Sequence, residues 1–465
     1  MSLLRKEVET NILDLLPEHK EYVRKNLFDA FFLPEEKLVK VQNLLNEEIN
    51  LQLHPDTDHD DPLKLFPSYI EEVPDGTESG RFLAVDIGGT RCRVLLVDVH
   101  NGKTSSKTIK EDLPASCYTG SGVKVFDYIA GQLHRLLSEC NLLNTPEPIQ
   151  LGFTFSFPIK TSALHKAILV NWTKDYRGND VIGMEVGQLL EDAIKRRGDM
   201  NIKCCAIIND TIGTLMCGAF IDKGCKIGLI CGTGTNGCCF EPIDNCVDYK
   251  KTVQTKNKAV ALDTRWNNFG LGREIDFIRS PYDLEIWEET KDCNMGIERM
   301  LSGMFLGDVV RRVLLKLHND GIILKTWPNQ WEKIYGLKTE VVCNILQADQ
   351  DVNEILQTQG INSPTSLECR LVYCVCQLVV IRAAELVAAL LACTVDRVEE
   401  QKIGIAVDGS VYKNIALFRD VLEEKTKDLI KPGTDCYFVP CEDGSGLGAA
   451  IVASMVERHL RTQKN

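Results

Sequence analysis

No Cys-x-x-Cys pair occurs in this chain, although it holds 19 cysteines. That spacing marks many thiol redox and zinc sites, so neither is expected. No Gly-x-x-x-x-Gly-Lys-Ser/Thr string is present, which removes the P-loop kinases. The opening Met1-Ser2-Leu3-Leu4-Arg5-Lys6-Glu7 shows no apolar h-region, so no secretory leader is expected and the cytosol is the expected compartment. An odd count of cysteines there reads as free thiols, and those in apolar runs (Cys204, Cys205, Cys231, Cys374, Cys376) as small buried hydrophobes. Basic residues are outnumbered, 53 to 66, for a net charge of −13. That balance argues against nucleic acid or an anionic membrane as the main partner. There is also no uninterrupted membrane span. The longest apolar stretch, Leu371 to Val395, contains Arg382 and Glu385, each costly in lipid, and reads as a buried helix.

What is present is an ordinary globular balance, 44% apolar and 26% charged over 465 residues, enough for two or three domains. Helical spacing runs from residue 2 to about 50, with Pro34 expected at the first position of a second helix. Asp56-x-Asp58-x-Asp60 opens like a calcium loop, but Asp61 and Pro67 stand where glycine and glutamate are needed, so a solvated linker is expected. Strands are predicted at Phe82–Asp86, at Arg91–Val99 and after the Asn101-Gly102 turn. A helix is predicted at Val125–Leu137, a strand at Ile149–Phe157, a helix at Val186–Arg196, a strand at Cys204–Ile208 and a helix at Ile212–Phe220. A second cycle follows: strands Lys226–Cys231 and Cys238–Glu241, helices from Ile297 to about Val395, then strand, helix, strand and helix to the end. Two units that each begin strand, glycine loop, strand imply a duplicated α/β architecture with helices covering mixed sheets.

Four loops carry candidate chemistry. Asp86-Ile87-Gly88-Gly89-Thr90 and Gly232-Thr233-Gly234-Thr235-Asn236 each sit between strands, where glycines let backbone amides approach an anion. The second matches Gly-x-Gly-x-x-Gly literally, but it leads into a strand rather than a helix, which disfavours dinucleotide binding. Asp408-Gly409-Ser410 and Asp443-Gly444-Ser445-Gly446 each join a strand to a helix. Asp210 ends an apolar strand, where a carboxylate is costly unless used; its plainer reading is the cap of the following helix. Together these loops suggest a nucleotide clamped between two lobes, with a carboxylate able to take a proton from an acceptor hydroxyl.

These residues lie within strings that resemble the eukaryotic hexokinases of the single-unit, roughly 50 kDa type. The strings include Phe66-Pro67-Ser68-Tyr69, Leu151-Gly152-Phe153-Thr154-Phe155-Ser156-Phe157-Pro158, Asn171-Trp172-Thr173-Lys174, Ile208-Asn209-Asp210-Thr211, Ser302-Gly303-Met304 and Val407-Asp408-Gly409-Ser410. They keep family order from about residue 10 to the end. The resemblance implies the two-lobed, duplicated, actin-like ATPase (ribonuclease H-like) sugar kinase fold. It implies a small lobe of residues 68–210 completed by a C-terminal helix, 446–465, and a large lobe of 211–445 with the N-terminal helices 1–67 packed on it. The implied reaction is ATP- and Mg²⁺-dependent phosphorylation of a hexose (glucose, fructose or mannose) at the 6-hydroxyl, the first step of glycolysis. Asp210 matches the general base, and Lys174 lies near the transferring phosphate. Ser156, Thr173, Lys174, Asn209, Asn236 and Glu298 match sugar-binding positions. Asp86, Gly88, Gly89, Thr90, Thr233, Gly303, Gly409, Ser410 and Gly446 match nucleotide and phosphate elements, with Thr358 a further addition; no direct metal ligand is implied, and Asp86 would reach Mg²⁺ through water. The implied partners are hexose and ATP, and the implied state a monomer or weak homodimer.

The chain departs from the family pattern in four places. Asp263-Thr264-Arg265-Trp266-Asn267 has arginine where a glutamate accepts sugar hydroxyls, and arginine only donates. Loss of one charge-assisted hydrogen bond, about 1.5–3 kcal/mol, corresponds to roughly 10- to 150-fold weaker sugar binding. Asn294-Met295 precedes Glu298 where Gly-Gln-Gln is usual, Arg91-Cys92 replaces Asn-Phe, and Asp175 replaces glycine. If residues 261–266 are extended, Asp263 and Arg265 share a face, and Asp263 can replace the lost acceptor or neutralise the arginine. These departures keep a second reading in view: a weakly active, hexokinase-like sugar-binding or regulatory protein. Actin- or chaperone-like ATPases share the lobes but not the sugar strings, and a Rossmann dehydrogenase fits less well still.

Overall fold

A computed structural model describes residues 2–54, 65–172, 176–291, 293, 295–347 and 351–464. The Asp56–Asp60 run lies outside them. Two mixed sheets repeat one pattern. The first has five strands, in the order Lys103–Asp112, Arg91–His100, Gly80–Ile87, Ile149–Phe155 and Ile202–Ile208. Its first three are antiparallel and the last two join in parallel. Asn101 and Gly102, both at positive φ, form the turn between the outer strands. The second sheet repeats that order with Ala259–Asp263, Thr235–Pro242, Cys225–Cys231, Lys402–Asp408 and Asp435–Pro440, extended by a bridge from residues 66–67. A short hairpin, Ile159–Ala163 with Lys166–Leu169, was not foreseen from the sequence; its strands are only five and four residues long.

The strand expectations hold to within a few residues, but the strand expected to reach Phe157 ends at Phe155. Pro34 precedes rather than opens its helix. Its ψ of 151° is extended, and Glu35 is the first helical residue of Glu35–Leu53. All 19 cysteines are free, as expected, and most are buried.

The last parallel strand of each sheet runs straight into a helix. Ile202–Ile208 leads to Asp210–Ile221, which packs on the second sheet; Asp435–Pro440 leads to Gly444–Lys464, which packs on the first. The two helices also pack on each other, and Ile212, Leu215, Met216, Ala449, Ala450 and Val452 form a core between the sheets. The described helices of residues 2–54 join the core of the second unit, around the long helix Ser366–Arg397.

That long helix is the one described helix long and apolar enough to cross a bilayer, and its apolar window is wholly buried in the protein. Its charges have partners. Arg382 donates from Nη1 and Nη2 to Asp283 at 2.6 and 2.8 Å and lies over the Phe31 ring. Glu385 accepts from Nε of Arg5 at 2.9 Å. Asp283 also completes a capping box with Ser280. Replacing Arg382 by leucine leaves Asp283 charged and buried, so Arg382→Leu should destabilise the fold by about 3–5 kcal/mol in chemical denaturation.

Candidate active site

The ends of the parallel strands bring the glycine loops together. Asp86 and Arg93 face each other directly across the first hairpin, because the turn at residues 88–91 sets that register. Arg93 donates to Asp86, to Asp443 at 2.5 Å and to Ser445 Oγ at 3.1 Å. Ser445 Oγ in turn donates to Asp86 at 2.8 Å. Burial opposes the Arg93 charge, but Asp86, Asp443 and Asp408 outweigh it and raise its pKa. Asp408 accepts from the amides of Gly409 at 2.7 Å and Gly444 at 2.9 Å, tying both strand-to-helix loops. Burial raises the Asp408 pKa against these bonds. Arg93, Asp408 and Asp443 were not assigned from the sequence. Counting outward from Gly89-Thr90, the centre of the turn, pairs Arg93 with Asp86, whereas centring on Gly88-Gly89 would have paired Asp86 with Arg91.

The other positions that the resemblance assigned to the nucleotide lie in turns and at helix ends of both units. Tyr176 and Tyr118 donate their hydroxyls to the carbonyls of Gly88 at 3.2 Å and Gly89 at 3.1 Å, and Thr90 O accepts from Leu113 N. Gly232–Gly234 forms the second hairpin turn; Gly303 N donates to Gly232 O, and Met304 N to Thr233 O, both at 2.9 Å. Antiparallel pairing across this turn is incompatible with the dinucleotide fold, which requires a helix there. Gly409, at φ 122°, packs so closely that a Cβ would stand 2.3 Å from the Cys231 carbonyl. Ser410 begins the helix Ser410–Asn414, and Gly446 lies against Leu95. The Thr358 hydroxyl donates to Ile355 O within its own helix.

At the end of the last strand of the first sheet, Asp210 is the first residue of the helix Asp210–Ile221. The capping role considered for it belongs to Asn209, whose Oδ1 accepts from Thr211 N at 2.9 Å and Thr211 Oγ1 at 2.7 Å. A single residue separates strand from helix, so the cap falls on position 209. Asp210 Oδ1 also accepts from Thr211 N. Asn236 donates to Asp263 at 2.7 Å, and Glu298 Oε1 accepts from Thr235 N at 3.2 Å. Ser156 follows the strand Ile149–Phe155. Thr173 and Lys174 lie outside the described residues, as do Asp175 and Asn294.

One expectation fails here. Residues 261–266 are not extended throughout: the strand stops at Asp263, and Arg265 adopts a left-handed conformation, φ 50° and ψ 31°, before the turn Trp266–Asn268. The two side chains therefore do not share a strand face. They are nevertheless close, because the turn lets Arg265 N donate to Asp263 at 3.2 Å and brings its charge to bear on that carboxylate. Burial raises the Asp263 pKa; Arg265 opposes the rise, and Asp210 adds to it. No cluster of three or more metal-ligating side chains exists among the described residues.

Two similar halves, each a five-strand mixed sheet with glycine loops at its strand ends and a carboxylate beside the crossing helix, define the two-lobed α/β fold of the actin-like ATPase sugar kinases. The Hexokinase models match residues 24–220 and 226–455. A hexokinase of Schistosoma mansoni solved with glucose is 31% identical and covers 97% of this chain and 99% of its own, with a TM-score of 0.84. Hexokinase-1 of Homo sapiens is 34% identical over 447 residues, 93% of this chain and 48% of that protein. Hexokinase HKDC1 of Homo sapiens is 34% identical over 449 residues, with coverages of 93% and 48%. The chain belongs to the hexokinase family. It spans about half the length of the curated relatives it matches.

Arg93 joins the first sheet to the C-terminal loop through partly shielded bonds. Arg93→Gln should cost about 2 kcal/mol, less than a fully buried ion pair. Urea unfolding checks the loss, and hydrogen exchange should speed up at residues 443–447.

Proposed function

We propose that this chain is an ATP-dependent hexokinase that phosphorylates a hexose at its 6-hydroxyl. The observation that carries the reading is the placement of Asp210. It stands at the C-terminal end of a parallel strand, directly after the capping residue Asn209, and in electrostatic reach of Asp263 on the sugar side. In this reading the sugar lies between Ser156, Thr173 and Lys174 on one lobe and Asn236 and Glu298 on the other. Asn209 Nδ2 donates to a sugar hydroxyl while its Oδ1 serves the helix. Asp210 takes the proton as the hydroxyl attacks the terminal phosphoryl group, a contribution of roughly 10²–10⁴-fold.

The phosphates sit against the Gly88–Thr90 and Gly232–Thr233 turns, and the nucleoside between Gly303, Gly409, Ser410 and Gly446. The donor set suits a polyphosphate: backbone turns and the Arg93 cation, which is paired with the buried Asp86. Mg²⁺ on the triphosphate would neutralise phosphate charge, and Asp86, already bonded to Arg93 and Ser445, would meet it through water. Closure of the lobes on sugar excludes water, which protects ATP from hydrolysis.

A second reading rests on Arg265, whose cation stands beside the sugar corner: a sugar-responsive binding protein with little turnover. Glucose-dependent ADP release separates the two. The enzyme reading expects Asp210→Ala to lower kcat by roughly 10²–10⁴-fold while glucose still changes tryptophan fluorescence. Ligand-induced fluorescence change without turnover in the unaltered chain would instead establish the sensor.

A further inference from the structure

The sugar-side corner carries a charge arrangement that phosphoryl transfer does not itself require. Asp263 is only 5% exposed, and its Oδ1 accepts from Asn236 Nδ2 and from Arg265 N. The Asn236 amide is thereby fixed in one orientation, since its Oδ1 also accepts from Gly237 N at 2.9 Å. Arg265 then turns left-handed, a conformation uncommon for a residue with a Cβ and one that clusters at functional sites. The turn keeps its charge near Asp263, opposite in sign to Asp210 on the facing helix.

We propose that Asp263 and Arg265 form one charge-balanced unit that determines sugar selectivity. Asp263 positions the Asn236 amide, and Arg265 cancels the Asp263 charge, so the corner favours neither a cationic nor an anionic hexose over a neutral one. The inference rests on the hexose-binding reading above. It assigns Asp263 as a positioning residue acting through Asn236, and Arg265 as the counter-charge.

The test compares glucose with 2-amino-2-deoxyglucose on the full chain carrying Arg265→Gln, Asp263→Asn or both. Asparagine keeps an acceptor for Asn236 while removing the charge. Dissociation constants from tryptophan fluorescence and, with MgATP, kcat/KM are measured for each sugar. Arg265→Gln should improve the amino sugar relative to glucose by roughly tenfold, and Asp263→Asn should worsen it by a similar factor. The double variant should return the ratio to that of the unaltered chain. Opposite shifts are a result that a merely structural role cannot give.

Parallel shifts for both sugars, shifts in one direction, or loss of binding by these shape-conserving variants would overturn the proposal. Opposite shifts in binding without turnover would sink the phosphotransfer reading alone. Turnover with parallel shifts would sink this inference alone.

Discussion

The site depends on two helices touching at their backbones. A Cβ on Gly448 would stand 1.8 Å from the Gly213 carbonyl oxygen, and one on Gly213 would stand 2.6 Å from that of Ser445. Only glycine permits this approach. The same tightness extends to each sheet: a Cβ on Gly152 would meet the Ala449 carbonyl at 2.0 Å, and one on Gly228 the Thr211 carbonyl at 2.3 Å. Each crossing helix starts at a strand end that carries candidate chemistry. Their closeness therefore sets the distance between Asp210 and the Ser445 loop.

Charge then fixes what packing brings near. Thr154 Oγ1 donates to the Ser445 carbonyl, Ser445 Oγ to Asp86, and Asp408 draws in the Gly409 and Gly444 amides. Arg93 sits at the centre of three carboxylates. Such a cluster is stable only while each member is paired, since a buried unpaired carboxylate is costly. The connecting segment is held in the same manner, with Arg458 of the C-terminal helix bridging Glu72, Asp75 and Glu78. Thus the helix that closes the chain also restrains the segment leading into the first sheet.

Much of this was legible in the sequence, and the reasons differ by element. The strands Gly80–Ile87, Arg91–His100 and Cys225–Cys231 are apolar runs bounded by glycine turns, so local pattern and tertiary role agree. The long helix could be told from a membrane span by Arg382 and Glu385 alone. The cap could not be placed, because Asn209 and Asp210 are both good caps and only the strand boundary decides between them. Nor could the turn at Arg265 be foreseen, since arginine carries no signal for positive φ. The pairing of Asp408 with Gly444 joins loops 36 residues apart and needs the fold itself.

The crossing of the two helices is the claim most open to direct trial. Gly448→Ala adds one methyl group at the closest point, and overpacking of this kind should lower the melting temperature by roughly 1–3 °C in a chain of this size. Melting temperature and glucose-dependent ADP release, measured on the same preparation, should fall together. A Gly448→Ala protein with unchanged melting and unchanged turnover would contradict the account.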